Sequence, residues 1–323
     1  MAATMRAAVL RGFGAPLQIE GVPRPEPRVG QVLVQIEACG LCHTDVHVCA
    51  GHTVPQRRGL PLIPGHEGIG RIVEAGAGAE ALLGRRVGVP WIHDTCGHCR
   101  ECLSGFESFC TGQRAHGFDV DGAFAEYVLA DARFVAVLGE DMDAFAGAPL
   151  MCAGLTALGG VKKAALVPGS VCVIFGCGGL GLYAVQLAAR TGAIVVAVDV
   201  GADKLDAARR AGADHAVPAE RAAEAILDLT GGADACINFA PTTATWATMT
   251  KVIRPRGRIV AAALVSDPVP LDQEWLTVTG VTLTGTSVGT RLDMRELLQL
   301  HARKPLTIDH RVVGLSRLNE ALA

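Results

Sequence analysis

The stretch Val171-Cys172-Val173-Ile174-Phe175-Gly176-Cys177-Gly178-Gly179-Leu180-Gly181 decides the fold. An apolar run over 171–175 reads as a buried strand, glycines follow at G-x-G-x-x-G spacing, and the Ala-rich segment 181–190 reads as a helix. In a strand-turn-helix of this kind the glycines let backbone amides approach a pyrophosphate at the positive end of the helix. Gly176, Gly178, Gly179, Leu180 and Gly181 are therefore candidate cofactor contacts. The next apolar run, 194–198, ends at Asp199, about 20 residues beyond the first glycine, where a carboxylate accepts hydrogen bonds from an adenosine ribose. The same carboxylate repels a 2′-phosphate, which selects NAD over NADP.

Outward from this point, helical patterns over 203–211, 222–229 and 243–253 alternate with strand patterns over 235–239 and 258–264. That alternation predicts a doubly wound parallel sheet. A helix is expected over 291–304, and 308–313 reads as a strand with no place in that sheet, so the chain is expected to return to its first domain. Before residue 150 the texture differs: 31–37, 68–73 and 86–89 are short strands between Gly and Pro turns, a β-rich domain. A length of 323 residues predicts two domains. The expected division is 1–152, 153–286, and a return over 287–323.

Half the residues are hydrophobic and 19% are charged, which is globular composition. Lys and Arg total 29 against 32 Asp and Glu, a net charge of -3 without a basic block, which argues against nucleic acid and anionic lipid as partners. The first ten residues lack a continuous apolar segment, so no secretory signal is expected and the cytoplasm is the expected compartment. The segment 164–189 carries no charge and is long enough for a membrane span, but Pro168-Gly169 and the glycines after it fit a strand, turn and helix instead.

Eleven cysteines is an odd and high count, and their clustering points to metal rather than to a disulfide framework. In Cys96-Gly-His-Cys99-Arg-Glu-Cys102 followed by Cys110, four thiolates can wrap one tetrahedral zinc, and a shell closed by four protein ligands is structural. The segment lacks the aromatic and basic interleaving of a nucleic-acid-binding ribbon. A second concentration runs through Cys39-Gly-Leu-Cys42-His43-Thr44-Asp45-Val46-His47 and Gly65-His66-Glu67. A catalytic zinc wants three protein ligands and an open position; Cys42, His66 and a residue from a distant segment could supply them. Cys152, in Pro149-Leu-Met-Cys152-Ala-Gly, is the candidate third ligand.

Zinc sites beside a dinucleotide fold resemble the medium-chain, zinc-dependent alcohol dehydrogenases, from residue 5 to the end. The likeness is strongest to the yeast and bacterial ethanol- or propanol-preferring enzymes. It rests on Cys42-His43-Thr44-Asp45-Val46-His47, Pro64-Gly65-His66-Glu67-Gly68, Pro149-Leu150-Met151-Cys152-Ala153-Gly154 and Gly285-Thr286-Ser287-Val288-Gly289-Thr290-Arg291. The resemblance implies a Rossmann doubly wound parallel sheet plus a β-rich GroES-like catalytic domain, an α/β protein, with two zinc ions per chain and NAD. It implies Cys42, His66 and Cys152 as catalytic-zinc ligands, Glu67 as a carboxylate that can exchange onto the metal, and Asp45 as the partner orienting His66. It implies Cys96, Cys99, Cys102 and Cys110 as the structural-zinc set.

By the same likeness Thr44 and His47 form a proton relay running through the cofactor ribose. His43 and Arg291 would contact cofactor phosphate, and Asp199 and Lys204 the adenosine ribose. Trp91, Thr53 and Val288 would line the substrate pocket. The implied reaction is reversible oxidation of a primary or secondary alcohol to an aldehyde or ketone, in a homo-oligomer, dimer or tetramer. Two features depart from the family. About 20 residues of a usual closing helix and strand are missing after Ala323, which leaves an exposed sheet edge as an expectation. Ala50-Gly51-His52-Thr53-Val54 also stands where relatives carry bulky aromatics, which predicts a wider substrate channel. The alternatives are a reductase of the same family working toward the alcohol and a non-catalytic, zinc-stabilised nucleotide-binding protein. Intact Cys42, His66 and Cys152 argue against the second, and both ligand sets exclude a zinc-free quinone-reductase-like relative.

Overall fold

The computed structural model describes residues 3–54 and 58–323. The chain divides into two compact units, Met1–Cys152 with Thr290–Leu300 and Asp309–Ala323, and Ala153–Gly289 with His301–Ile308.

In the second unit the strand Val171–Phe175 is buried at every position and pairs in parallel with Ile194–Asp199 on one side and Ala233–Asn238 on the other. His215–Pro218 extends the sheet beyond Ile194–Asp199, while Ile253–Ala261 and Thr282–Gly285 extend it beyond Ala233–Asn238, all in parallel. Counted in chain order within this sheet, the strands lie 3-2-1-4-5-6, the doubly wound arrangement. Helices cover a parallel sheet on both faces, which is why its central strands read as continuous Val, Ile and Ala rather than alternating. Val173, Val196, Val198, Ile226, Trp246 and Ile259 form one packed cluster on this sheet. The order reverses beside Val171–Phe175, and the glycine-rich turn leaves from the carboxyl end of that strand, where such sheets bind ligands.

The first unit is built on a five-stranded antiparallel sheet in the order Tyr127–Asp131, Gln31–Cys39, Gly68–Ala75, Arg86–Val89 and Ala136–Val137. Val32, Val34, Ile72, Val87, Val89 and Val128 make its core. A hairpin of Thr4–Val9 with Gln18–Pro23 adds a second cluster around Leu10, Leu62 and Phe124. Leu318, on the last helix Leu318–Leu322, packs into that cluster, and the Asn319 side chain bonds both the N–H and the carbonyl of Leu17 at 2.9 Å.

One expected element is absent. Residues 308–313 form no strand, although Ile308, Val312 and Val313 flank polar residues in a strand-like way. Just before them, the N–H and carbonyl of Thr307 are both taken by the Gln186 side chain, at 3.0 and 2.8 Å, so the backbone there is satisfied without a ladder. Among the described residues no single helix is long and apolar enough to cross a membrane, and within 164–189 lie the strand Val171–Phe175 and the helix Gly179–Ala189.

Candidate metal centres and nucleotide loop

Strand register assembles the first centre. Cys39 pairs with Gly68 at the end of the Gln31–Cys39 and Gly68–Ala75 ladder, so the loop reaching Cys42 runs beside His66-Glu67. Gly40 allows the approach, because a Cβ there would overlap the Glu67 carboxylate. Cys152 follows the short helix Ala148–Met151, and Met151 seats its sulfur against Gly88, where a side chain would collide with it. Donor atoms of Cys42, His66, Glu67 and Cys152 lie within 4.8 Å of one another, all on buried residues.

Asp45 fixes this arrangement. Its carboxylate is 1% exposed, accepts the Cys42 backbone N–H at 3.0 Å and the Gly65 N–H at 3.1 Å, and meets His66 Nδ1 at 3.0 Å. With Nδ1–H donated to Asp45, the other ring nitrogen, Nε2, is buried without a hydrogen-bond partner among the described residues, so loss of its proton would leave a lone pair there for a metal. An orphaned imidazole nitrogen among two thiols and a carboxylate is the donor set that zinc takes. Burial alone would lower the His66 pKa, but Asp45 and Cys42 outweigh it and hold it well above the usual value. The Cys42 thiol is held well below the usual range by hydrogen bonding from Cys152 and by His66, whereas Cys42 and burial push Cys152 well above it.

The second centre is local. Sulfur–sulfur distances of 3.4 Å for Cys99–Cys102, 3.6 Å for Cys96–Cys110 and 3.9 Å for Cys96–Cys102 bracket the separation of about 3.8 Å expected across a tetrahedral zinc–thiolate site. Backbone N–H groups of His98 and Cys99 hold the Cys96 thiol down to about 6. The lobe is entered and left through the paired strands Ile92–Asp94 and Arg114–Ala115. Beneath them His93 and His116 form a buried pair at 3.0 Å. The Pro90 carbonyl can only accept, so His116 donates to it from Nδ1, at 2.8 Å, while His116 Nε2 faces both His93 Nδ1, at 3.0 Å, and the Leu129 carbonyl, at 3.3 Å. Burial and the neighbouring His93 push His116 down to about 3.

In the second unit Gly176 has φ +88, and a Cβ there would lie 2.8 Å from the Ala240 backbone nitrogen. A Cβ on Gly181 would run into the Gly176 carbonyl. These two glycines serve the turn itself. Gly178 and Gly179 face open space at the start of the helix Gly179–Ala189, a bare cradle of backbone amides that suits a pyrophosphate. Asp199 accepts from Cys177 N–H at 2.7 Å and Gly201 N–H at 3.0 Å, with Lys204 Nζ at 3.8 Å. A carboxylate offers about four acceptor sites, so two remain beyond these backbone bonds. Leu180 is the half-buried residue between the glycines.

The helix His43–Ala50 carries His43 exposed and Thr44 and His47 half-buried. The His47 and His43 rings meet edge to face at 4.6 Å, and His47 Nδ1 lies 3.4 Å from His52 Nδ1. Partial burial, then the neighbouring His43 and His52, lower the His47 pKa. Thr53 folds back through its N–H to the His47 carbonyl at 3.3 Å. Trp91 stands edge-on to His66 at 4.9 Å between ring centres, beside the buried centre. Val288 belongs to the second unit and holds φ +49, a strained conformation for a β-branched residue.

Arg291, in the first unit, opens the helix Arg291–Arg303 and is tied to a residue that sequence reasoning passes over, Glu107. Glu107 Oε1 accepts the Arg291 backbone N–H at 3.0 Å and its Nε–H at 3.1 Å. Burial would raise the Glu107 pKa, but these bonds bring it below the usual carboxylate value. The only signal available was a lone carboxylate between Cys102 and Cys110, and its partner lies 184 positions away.

A carboxylate-oriented histidine among thiols, a four-sulfur lobe and a glycine-rich turn on a doubly wound sheet together define a zinc-dependent, nucleotide-binding dehydrogenase. Residues 28–140 match the alcohol dehydrogenase GroES-like domain, and residues 179–303 match the zinc-binding dehydrogenase domain. An alcohol dehydrogenase of Geobacillus stearothermophilus is 41% identical over 319 residues, 98% of this chain and 94% of the relative. One from Moraxella sp. is 41% identical over 301 residues, covering 92% and 89%. A thermostable alcohol dehydrogenase from Pyrobaculum aerophilum superposes with a TM-score of 0.90 at 29% identity, covering 99% of this chain and 95% of the other. The chain belongs to the medium-chain zinc alcohol dehydrogenase family and is an oxidoreductase.

Proposed function

We propose that this chain oxidises a small primary or secondary alcohol to an aldehyde or ketone, reversibly and with NAD, at a zinc held by Cys42, His66 and Cys152. The observation carrying this reading is the bare, buried Nε2 of His66, oriented by Asp45 among two thiols and the Glu67 carboxylate. Bound there, zinc supplies the Lewis acidity that makes an alcohol hydroxyl acidic, and NAD supplies the hydride acceptor.

The chain's own residues do the rest. Asp45 keeps His66 in the tautomer that presents Nε2 and holds the backbone of Cys42 in place. Glu67 brings a carboxylate within reach of the same ligands. Thr44 takes the alcohol proton and His47, half-exposed, delivers it to water. Gly178, Gly179 and the amides after them receive the pyrophosphate, with His43 and Arg291 as phosphate contacts. Asp199 and Lys204 receive the adenosine ribose, and the buried carboxylate favours NAD over NADP. Cys96, Cys99, Cys102 and Cys110 hold a second, structural zinc.

Trp91, Thr53 and Val288 line the substrate pocket in this reading. Without aromatic rings over 50–54, longer and bulkier alcohols than ethanol are accepted. The domains follow the expected 1–152, 153–286 and 287–323, except that 287–289 and His301–Ile308 group with the second unit. Cysteines grouped as metal ligands rather than in disulfides suit a reducing compartment, supporting the cytoplasm, and the protein acts as a homo-oligomer without nucleic-acid or membrane partners.

The test follows reduction of NAD by ethanol, hexanol and benzyl alcohol, with NADP alongside. Turnover with NAD, and kcat/KM that holds or rises from ethanol to benzyl alcohol, is expected. No turnover by the zinc-loaded protein on any alcohol, or on the aldehydes with NADH, rejects the reading. A steady fall along the series rejects the wide channel alone.

A further inference from the structure

The lobe holding the four cysteines makes one contact that metal binding does not require. Between Cys102 and Cys110 the short helix Glu107–Phe109 turns the Glu107 side chain inward, leaving that residue 3% exposed. Its backbone carbonyl accepts the Cys110 N–H at 3.1 Å, so the sulfur cluster and this carboxylate share one turn of chain. Glu107 Oε1 then receives two donors of a single residue, the backbone N–H and the Nε–H of Arg291.

Of the N–H groups at the start of the Arg291 helix, Glu107 takes only that of Arg291. Thr290 and Asp293 already form a reciprocal box, with Thr290 N–H donating to Asp293 at 2.9 Å and Asp293 N–H donating to Thr290 Oγ1 at 3.1 Å. What Glu107 adds is orientation. The Nε–H of the guanidinium is committed to a buried oxygen, and its Cζ lies over the Phe134 ring, 4.6 Å from the ring centre. The side chain as a whole is still 51% exposed. An arginine held at Nε and over one ring while half its side chain stays exposed is preorganised to bind an anion.

We propose that Glu107 is a positioning residue for the cofactor, setting the Arg291 guanidinium so that it meets the pyrophosphate without first being ordered. The four-cysteine lobe thereby supports cofactor affinity as well as the fold. This rests on the reading of Arg291 as a phosphate contact. The gain is entropic in origin, because a free arginine loses rotamer freedom on binding whereas a clamped one has already lost it.

The experiment is a double-mutant cycle read by NADH binding in the absence of alcohol, with zinc per chain measured on every variant. Glu107→Ala is expected to raise the NADH Kd about 10-fold. Arg291→Ala is expected to raise it at least as much, and the double variant is expected to match Arg291→Ala alone, because Glu107 acts only through the arginine. Glu107→Gln keeps an acceptor oxygen and is expected to recover most of the loss. A merely structural role predicts instead that Glu107→Ala weakens NADH further in the Arg291→Ala background. Additive effects, or a Glu107→Ala protein that binds NADH like the parent, overturn the proposal. If Arg291→Ala itself binds NADH like the parent, the phosphate-contact reading fails and the positioning role falls with it. Should Glu107→Ala lose the lobe zinc, Phe134→Leu tests the clamp from its other side. It is expected to weaken NADH about 3-fold, again only while Arg291 is present.

Discussion

The two sulfur-bearing centres of the first unit are built in opposite ways. Cys96, Cys99, Cys102 and Cys110 come from one short loop, three of them partly exposed, and little besides their own turns holds them together. Cys42, His66, Glu67 and Cys152 come from three distant segments, are all buried, and are fixed by strand register, by Asp45 and by the packing of Met151 on Gly88. A metal in the loop supplies much of the reason the loop is folded. A metal in the buried centre enters a cage the fold has already made. Zinc loss should therefore cost stability at the first and chemistry at the second.

The largest effect that could break this contrast is at the buried centre. Cys152→Ala should lower kcat/KM by more than the 10- to 100-fold typical of removing a partner outside the ligand set, and remove one zinc per chain with little change in Tm. A Tm collapse measured by calorimetry would mean that this cage also needs its metal to fold. Next comes Cys99→Ala, expected to lose the other zinc and about 10 °C in Tm, with activity per folded molecule falling less than in Cys152→Ala. Asp45→Asn should cost 10- to 100-fold in zinc affinity, read by competition with a chelating dye.

The smallest effect concerns the base of the lobe. His116 is held neutral with its pKa near 3, against about 6.5 when unfolded, so below pH 6.5 the unfolded chain binds the extra proton. Its contribution is fully present above pH 6.5 and is lost as pH falls from there toward 3. Between pH 7 and 5 this amounts to about 2 kcal/mol. Denaturant titrations should show a shallower acid slope for His116→Gln than for the parent protein; equal slopes would contradict it.

How much was legible in the sequence follows the same division. The four-cysteine loop and the glycine turn declare themselves because their partners lie within fifteen residues. Cys42 and His66 stand in dense runs of ligand-type residues, but Cys152 stands alone, a candidate only because the other two ligands called for a third and the resemblance supplied its motif. Glu107 had no readable role, since its partner Arg291 is brought to it by tertiary structure. At 308–313 the β-branched Ile308, Val312 and Val313 misled, because residues 309–312 are exposed and the segment joins no ladder. Local chemistry is written locally, whereas contacts across the fold leave no pattern in one chain.

The most direct test counts zinc per chain during graded chelation while activity and Tm are followed on the same sample. Two zinc ions per chain are predicted, the first leaving readily with the activity and with Tm nearly unchanged, the second leaving only as the protein loses stability. A single tightly held zinc with no second ion taken up on zinc addition, or one release that carries away activity and stability together, would contradict the account.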